Sequence, residues 1–244
     1  MTRLTLPILV ACVIVSGVGA CGDPQALRHT DLQELLTCND EAVGGDALRA
    51  ASRVDYDLDI AEPNSQTTAH YSATRAGEMR IDVYRDGERV YTEFLDSNGA
   101  WELPQDAPAP RPASADGAAA LRHGLEQPGH LWTLADMTRN GHAVSLEDGE
   151  TIDGVDYRVV KVTLRDGFPI WYWIDEKTCL IARSRNFRAY HPDLDPTRRW
   201  TESVFEDYEE FDGIRKPRVT RDVDFATGTT VGQASIRSFK AERG

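Results

Sequence analysis

The sequence is poor in the signatures of catalysis. It has no HExxH, GxSxG, P-loop or CxxC pattern. Its six histidines (His29, His70, His123, His130, His142 and His191) stand singly, and Pro128-Gly129 breaks the helical phase between His123 and His130. Metal and nucleophile chemistry need several such groups at fixed spacing, so no metal site, catalytic residue or cofactor is expected. Acidic pairs such as Asp55/Asp57 and Glu209/Glu210 could serve a hydrolase only in a specific cleft geometry; as solvated strand faces they need nothing. Cations are scarce: 27 Lys+Arg against 40 Asp+Glu give a net charge of −13. A surface that acidic repels nucleic-acid phosphates and anionic headgroups, which excludes nucleic acid as a partner. With 41% hydrophobic and 27% charged residues, the composition is ordinary for a globular chain and excludes a polytopic membrane protein. One β-rich domain can absorb all 244 residues.

The first twenty residues read as an address. Arg3 is a short positive region, Leu4–Val15 an apolar stretch interrupted by Pro7, and Ser16–Ala20 a run of small residues. That is the layout of a bacterial secretory signal, residues 1–20. The competing reading is a membrane anchor, but the apolar run Leu4–Ala20 sits at the short end of the ~17–25 residues needed to span, and Pro7 weakens it. Val18-Gly19-Ala20-Cys21 resembles a bacterial lipobox. The resemblance implies lipidation of Cys21, a tether over residues 21–29 and attachment to a membrane facing the periplasm. Asp23 standing one place beyond Gly22 tips sorting toward the outer membrane by the same resemblance. Ordinary cleavage at the same bond would instead leave Cys21 as a free thiol.

Cysteine is otherwise sparse. Cys12 leaves with the signal, so Cys38 and Cys179 remain, an even count in an oxidising compartment. They form either a bridge closing a long loop or two buried unpaired thiols.

Thr30-Asp31-Leu32-Gln33 has the pattern of a capping box opening a helix with Leu32, Leu35 and Leu36 on one face, interrupted at Asn39-Asp40 and Gly44-Gly45. Asp46 is placed to cap a second short helix over 47–52. Val54, Tyr56, Leu58 and Ile60 then alternate with Asp55, Asp57 and Asp59, the period of a half-buried strand. Met79, Ile81 and Val83 share one face of another. Asp86-Gly87, Asn98-Gly99, Asp148-Gly149, Asp153-Gly154, Asp166-Gly167 and Asp212-Gly213 supply the positive φ of tight turns. Hairpin after hairpin predicts an antiparallel meander of about ten strands. Residues 104–117 read as a Pro/Ala-rich loop, and 118–139 as two short helices split at Pro128-Gly129.

Three segments together resemble the LolA/LolB-like periplasmic lipoprotein-sorting and lipid-carrier proteins: Ala42–Leu48; Asp153–Val159 with Trp171–Thr178; and Phe205–Pro217. The resemblance runs in order over about residues 40–239. It implies a mainly β fold, a strongly curved antiparallel sheet forming an incomplete barrel, with short helices capping its concave face. The domain would be 30–244 with a helical insert near 114–139. It also implies binding of the acyl chains of a lipid or lipoprotein, with the chain anchored by its own lipid. A related use of the fold, as an envelope-stress sensor that binds a protein partner, is the alternative.

An antiparallel sheet of alternating pattern has one apolar face, and a curled one makes a hollow. The expected cavity residues are Val54, Tyr56, Leu58, Ile60, Met79, Ile81 and Val83, with Leu131 and Trp132 from the insert. Trp171 and Trp173 share one strand face, opposite Tyr172 and Ile174; that face lines either the cavity or ordinary core.

Overall fold

The computed structural model describes residues 31–244. The expected signal sequence, Cys21 and the tether lie outside the described residues, as does Thr30. Asp31 caps the first helix, α1 (Leu32–Val43), accepting a hydrogen bond from the Gln33 amide at 2.6 Å. The interruption expected at Asn39-Asp40 does not occur. Both side chains find partners off the helix, so neither competes for its backbone. Asn39 Nδ2 donates to the Cys179 carbonyl at 2.8 Å, and Asp40 accepts a two-pronged pair from Arg49 at 2.6 and 2.8 Å. Arg49 holds the Asp40 carboxyl below the usual carboxylate range. The helix ends at Gly44, whose φ of 73° is left-handed and whose Cα lies against the Gly213 carbonyl. A side chain would fail there on both counts. Gly44, rather than Asp46, opens α2 (Gly45–Ala50); Asp46 instead pairs with Arg49 at 2.8 Å.

Strands β1 (Ala51–Glu62), β2 (Ser65–Thr74), β3 (Met79–Arg85), β4 (Glu88–Asp96), β5 (Gly99–Pro104) and β6 (Arg111–Pro112) follow. Next come α3 (Ala115–Glu126) and α4 (Asp136–Arg139). The chain then forms β7 (Ala143–Ile152), β8 (Val155–Thr163), β9 (Pro169–Asp175), β10 (Ile181–His191), β11 (Asp195–Phe211), β12 (Ile214–Asp224) and β13 (Thr230–Arg243). All thirteen lie in one antiparallel sheet, ordered β6-β5-β4-β3-β2-β1-β13-β12-β11-β10-β9-β8-β7. The strand count exceeds the expected ten, and the architecture is the expected one: mainly β, curved and not closed, with few short helices.

Two meanders meet where β1 pairs with β13. Asp86-Gly87, Asp153-Gly154 and Asp212-Gly213 each have positive φ at both residues, the primed turn that matches strand twist. Asp148-Gly149 departs from expectation. It lies inside β7 as an irregularity in the pairing with β8 between Glu147 and Glu150, so its glycine serves a bulge rather than a turn. The topology places the helical insert. The chain leaves the sheet at one edge, β6, and re-enters at the other, β7, so the connection through α3 and α4 has to cross the hollow between the edges.

The core divides into two clusters on the covered face. One joins Leu35 and Leu36 of α1 and Leu134 and Met137 of the insert to Val160, Val162, Ile170, Tyr172 and Ile174. The other joins Val54, Tyr56, Tyr71, Met79, Leu121, Leu125 and Leu131. Cys38 and Cys179 form a disulfide with their Cα atoms 5.7 Å apart, fixing α1 to the β9–β10 turn.

Candidate functional site

Between those clusters and the β10–β11 turn, the hollow is open. A cavity of about 990 Å³ lies there, at the upper end of the ~300–1,000 Å³ typical of ligand sites. One wall is apolar: Tyr56, Leu58, Ile236, Phe168, Ile181 and Phe205, with Tyr172. The other is polar, and strand register shows why. Ser184 of β10 faces Ser203 of β11, which faces Asp222 of β12. One step along, Asn186 faces Thr201, which faces Asp224; one step further, Arg188 faces Arg199. Alternation puts these rows on the same face of the sheet, and Ser184, Asn186, Arg188, Ser203 and Asp222 line the cavity.

The roof has two parts. The segment around Gly129 is pinned from below. Lys216 Nζ, buried, donates to the Gly129 carbonyl and to the His130 carbonyl at 3.1 Å. Arg75 donates to the carbonyls of Leu131 and Leu48, each at 2.8 Å, and lies over the Trp132 ring. Burial pulls Lys216 down to about 7, and burial next to Lys216 pulls His130 down to about 3. His130 is therefore neutral at pH 7 and stacks on Tyr71 at 4.6 Å. Helix α3 forms the second part. Its first turn is tied to the β10–β11 side by Arg198–Asp116 at 2.7 Å and by Asp193 accepting from the Ser114 amide at 3.0 Å. Its last turns are tied to the β8–β9 turn by His123–Asp166 and by Arg165–Glu126, with His123 stacked on Phe168 at 4.1 Å. Exposed ion pairs of this kind hold weakly, ~0–1 kcal/mol each.

The mouth follows from a missing neighbour. β9 pairs with β10 no further than Trp171 opposite Arg185. Beyond that point the lining includes residues from both faces of β10, Asn186 and Phe187, so the cavity wraps past an unpaired strand edge. Trp171, Phe187 and Trp200 cluster there, with Trp200 5.7 Å from each of the other two rings. Phe187 and Trp200 are 46% and 41% exposed, unusual for rings of that size.

Of the residues expected at the cavity, Tyr56, Leu58 and Trp171 line it. Val54, Met79 and Leu131 are in the core cluster beside it, with Ile81 and Trp132 packed against that cluster. Ile60 lies beside a separate groove near the β1–β2 end. Val83 sits in β3, outside the lining. Trp173 faces away from the cavity: it packs with Tyr157 and Val159 on the other side of β9 and donates to Glu150 at 2.7 Å. Alternation makes Tyr172 and Ile174 the inward pair, and Trp171, on the outer face with Trp173, reaches the cavity only round the unpaired edge beyond its pairing with Arg185. The polar rows and Lys216 were not expected, since polar alternate positions read by default as solvent-facing. The aromatics Trp200 and Phe187 at the strand edge carried a signal in their cross-strand spacing that only the register reveals.

Among the described residues no group of His, Cys, Asp and Glu could hold a metal ion, and no helix is long and apolar enough to cross a membrane. No family model matches the chain, and no curated protein sequence matches it significantly. Solved structures do match. A LolA superfamily protein of Nitrosomonas europaea superposes with a TM-score of 0.58 at 14% identity, over 87% of this chain and 94% of that one. A DUF1329 family protein of Desulfovibrio piger gives 0.54 at 15%, over 86% and 94%. A Vibrio parahaemolyticus domain assigned to outer membrane lipoprotein sorting gives 0.54 at 10%, over 88% and 94%. The open thirteen-stranded sheet, its crossing insert and these superpositions together give this chain the LolA-like fold.

Proposed function

We propose that this protein binds the acyl chain of a lipid or lipoprotein in the cavity between the sheet and α3, without catalysing a reaction. The observation that carries the reading is the cavity itself. It is large, one wall is apolar, and the protein's own side chains leave it unfilled. Neighbours of this fold include a lipoprotein-sorting domain, which supports the same reading. The aromatic rim of Trp171, Phe187 and Trp200 suits passage of an acyl chain from a membrane interface, where such rings are at home. Leu121 and Leu125 seat α3 on the core, so entry needs only its weak ties at the cavity rim to open while α1 stays fixed.

The wider proposal is a periplasm-facing protein exported by residues 1–20 and held to a membrane, the outer one by preference, through lipid on Cys21. Two or more acyl chains suffice for stable anchoring. The half-barrel over 30–244 would then shuttle cargo close to its own membrane. A Cys21→Ala variant should lose incorporated palmitate; label that persists would remove the anchor from the proposal.

The binding test is titration with a fluorescent acyl probe, 11-dansylaminoundecanoate. Saturable binding near one probe per chain is expected. Ala234→Trp places a large ring in the cavity, where Ala234 lies on the lining, and should weaken binding about tenfold or more, roughly 1.4 kcal/mol. Absence of saturable binding to the unmodified protein overturns the proposal.

A further inference from the structure

The rows of β10, β11 and β12 are on the wrong face for a purely oily container. Thr201 is 1% exposed and Asn186 6%, and neither the Thr201 hydroxyl nor the Asn186 amide oxygen has a hydrogen-bond partner. The Arg188 Nε donor is likewise unpartnered. Buried polar atoms without partners are costly, and since Asn186 and Arg188 line the cavity, with Thr201 as the strand partner of Asn186, their open atoms point to a ligand that completes them. The wall is also balanced in charge. Arg188 and Asp222, both on the lining, lie 3.8 Å apart. Neither an anionic nor a cationic headgroup gains from it on net charge. What is left open is a mixture of donors and acceptors, and a hydroxyl serves both.

From this wall we infer that the cavity selects an amphiphile with an uncharged, hydroxyl-bearing head, the head set against Asn186, Ser184 and Ser203 and the tail along Phe205, Ile181 and Ile236. This rests on the acyl-binding reading and adds the class of head. Ser203 already donates to Asp222 at 2.5 Å, which leaves its hydroxyl oxygen as an acceptor for the incoming group. Arg188 Nε supplies a donor. The head and tail therefore meet two different walls of one chamber, and the orientation of the ligand is fixed by that difference.

The experiment is displacement of the dansyl probe by three ligands sharing one tail length: monolauroylglycerol, laurate and dodecyltrimethylammonium. Monolauroylglycerol is expected to displace the probe at concentrations about tenfold lower than either charged ligand, as two or so hydrogen bonds would give. Ser184→Ala and Asn186→Leu, both at the proposed head wall, should each shrink that preference to about threefold or less, by raising the monolauroylglycerol concentration needed more than the laurate concentration. Equal displacement by all three ligands, or a preference that survives both substitutions, overturns the inference and leaves acyl binding standing. No displacement by any of them, with no probe binding, overturns both.

Discussion

The two ends of the concave face share strands and curvature yet are built in opposite ways. At the α1 end, Ile174, Val162 and Val160 are capped by Leu35, Leu134 and Met137, each nearly fully buried, and the Cys38–Cys179 disulfide fixes the cap. At the α3 end, β10, β11 and β12 present serines, Asn186, Thr201 and paired charges, and the helix above, seated on the core by Leu121 and Leu125, is held over the cavity by exposed polar pairs. One end is a core; the other is a chamber under a helix whose ties at the rim are weak. Curvature alone therefore does not make a binding site. What leaves space is the change along each strand from side chains that interdigitate to side chains that do not.

The largest effects are expected at the filled end. Replacing Cys38 and Cys179 together by serine removes a link across a separation of 141 residues and should cost ~4–5 kcal/mol on the chain-entropy account. Denaturant unfolding measures it; a cost no larger than that of an exposed ion pair would mean α1 is not fixed as described. Leu134→Ala, at a fully buried position in the same cluster, should cost ~2–5 kcal/mol, read as a fall in the urea midpoint at unchanged slope.

Lys216 sits at the border between the two ends, and its effect depends on pH. Its ordinary value is 10.5, and in the folded chain burial brings it to about 7. Between those values the unfolded chain holds a proton that the folded chain has released, so stability rises as pH rises from 7 toward 10. The slope from this group is at most ~1.4 kcal/mol per pH unit. Lys216→Met should flatten that part of the profile. A profile that keeps its slope in the variant would show that Lys216 is not the group responsible. At the open end the expected effects on stability are smallest. Asp116→Ala and Asp166→Ala each remove one tie of α3 and should cost less than ~1 kcal/mol. Stopped-flow mixing with the acyl probe should nonetheless show faster entry. Unchanged entry rates would mean that α3 is not the moving part.

Much of the scaffold was legible in the sequence. The leucines of α1, the alternation of Val54 and Tyr56, and the paired Asp-Gly turns at 86, 153 and 212 each carry a local rule that the structure obeys. The cysteine count left pairing open, and the structure closes it. The chamber was far less legible. Ser184, Asn186 and Arg188 alternate with Arg183, Arg185 and Phe187, and nothing local says which set points inward. The decision comes from Glu202, which pairs with Arg183 at 2.8 Å and Arg185 at 2.6 Å on the outer face. That satisfies those two charges outside and leaves Ser184, Asn186 and Arg188, the last beside Asp222, within. Trp171–Ile174 shows the same difficulty, because apolar residues on both faces erase the period that assigns them. The insert was placed by topology, since only the two sheet edges it joins dictate that it crosses the hollow.

Acyl binding stands or falls on extraction and mass spectrometry of whatever copurifies with the Cys21→Ala protein, prepared free of membrane and detergent. The account predicts close to one amphiphile per chain, lost when Ala234→Trp fills the chamber. Protein that carries no amphiphile, and that takes up none when offered monolauroylglycerol or laurate, would contradict it.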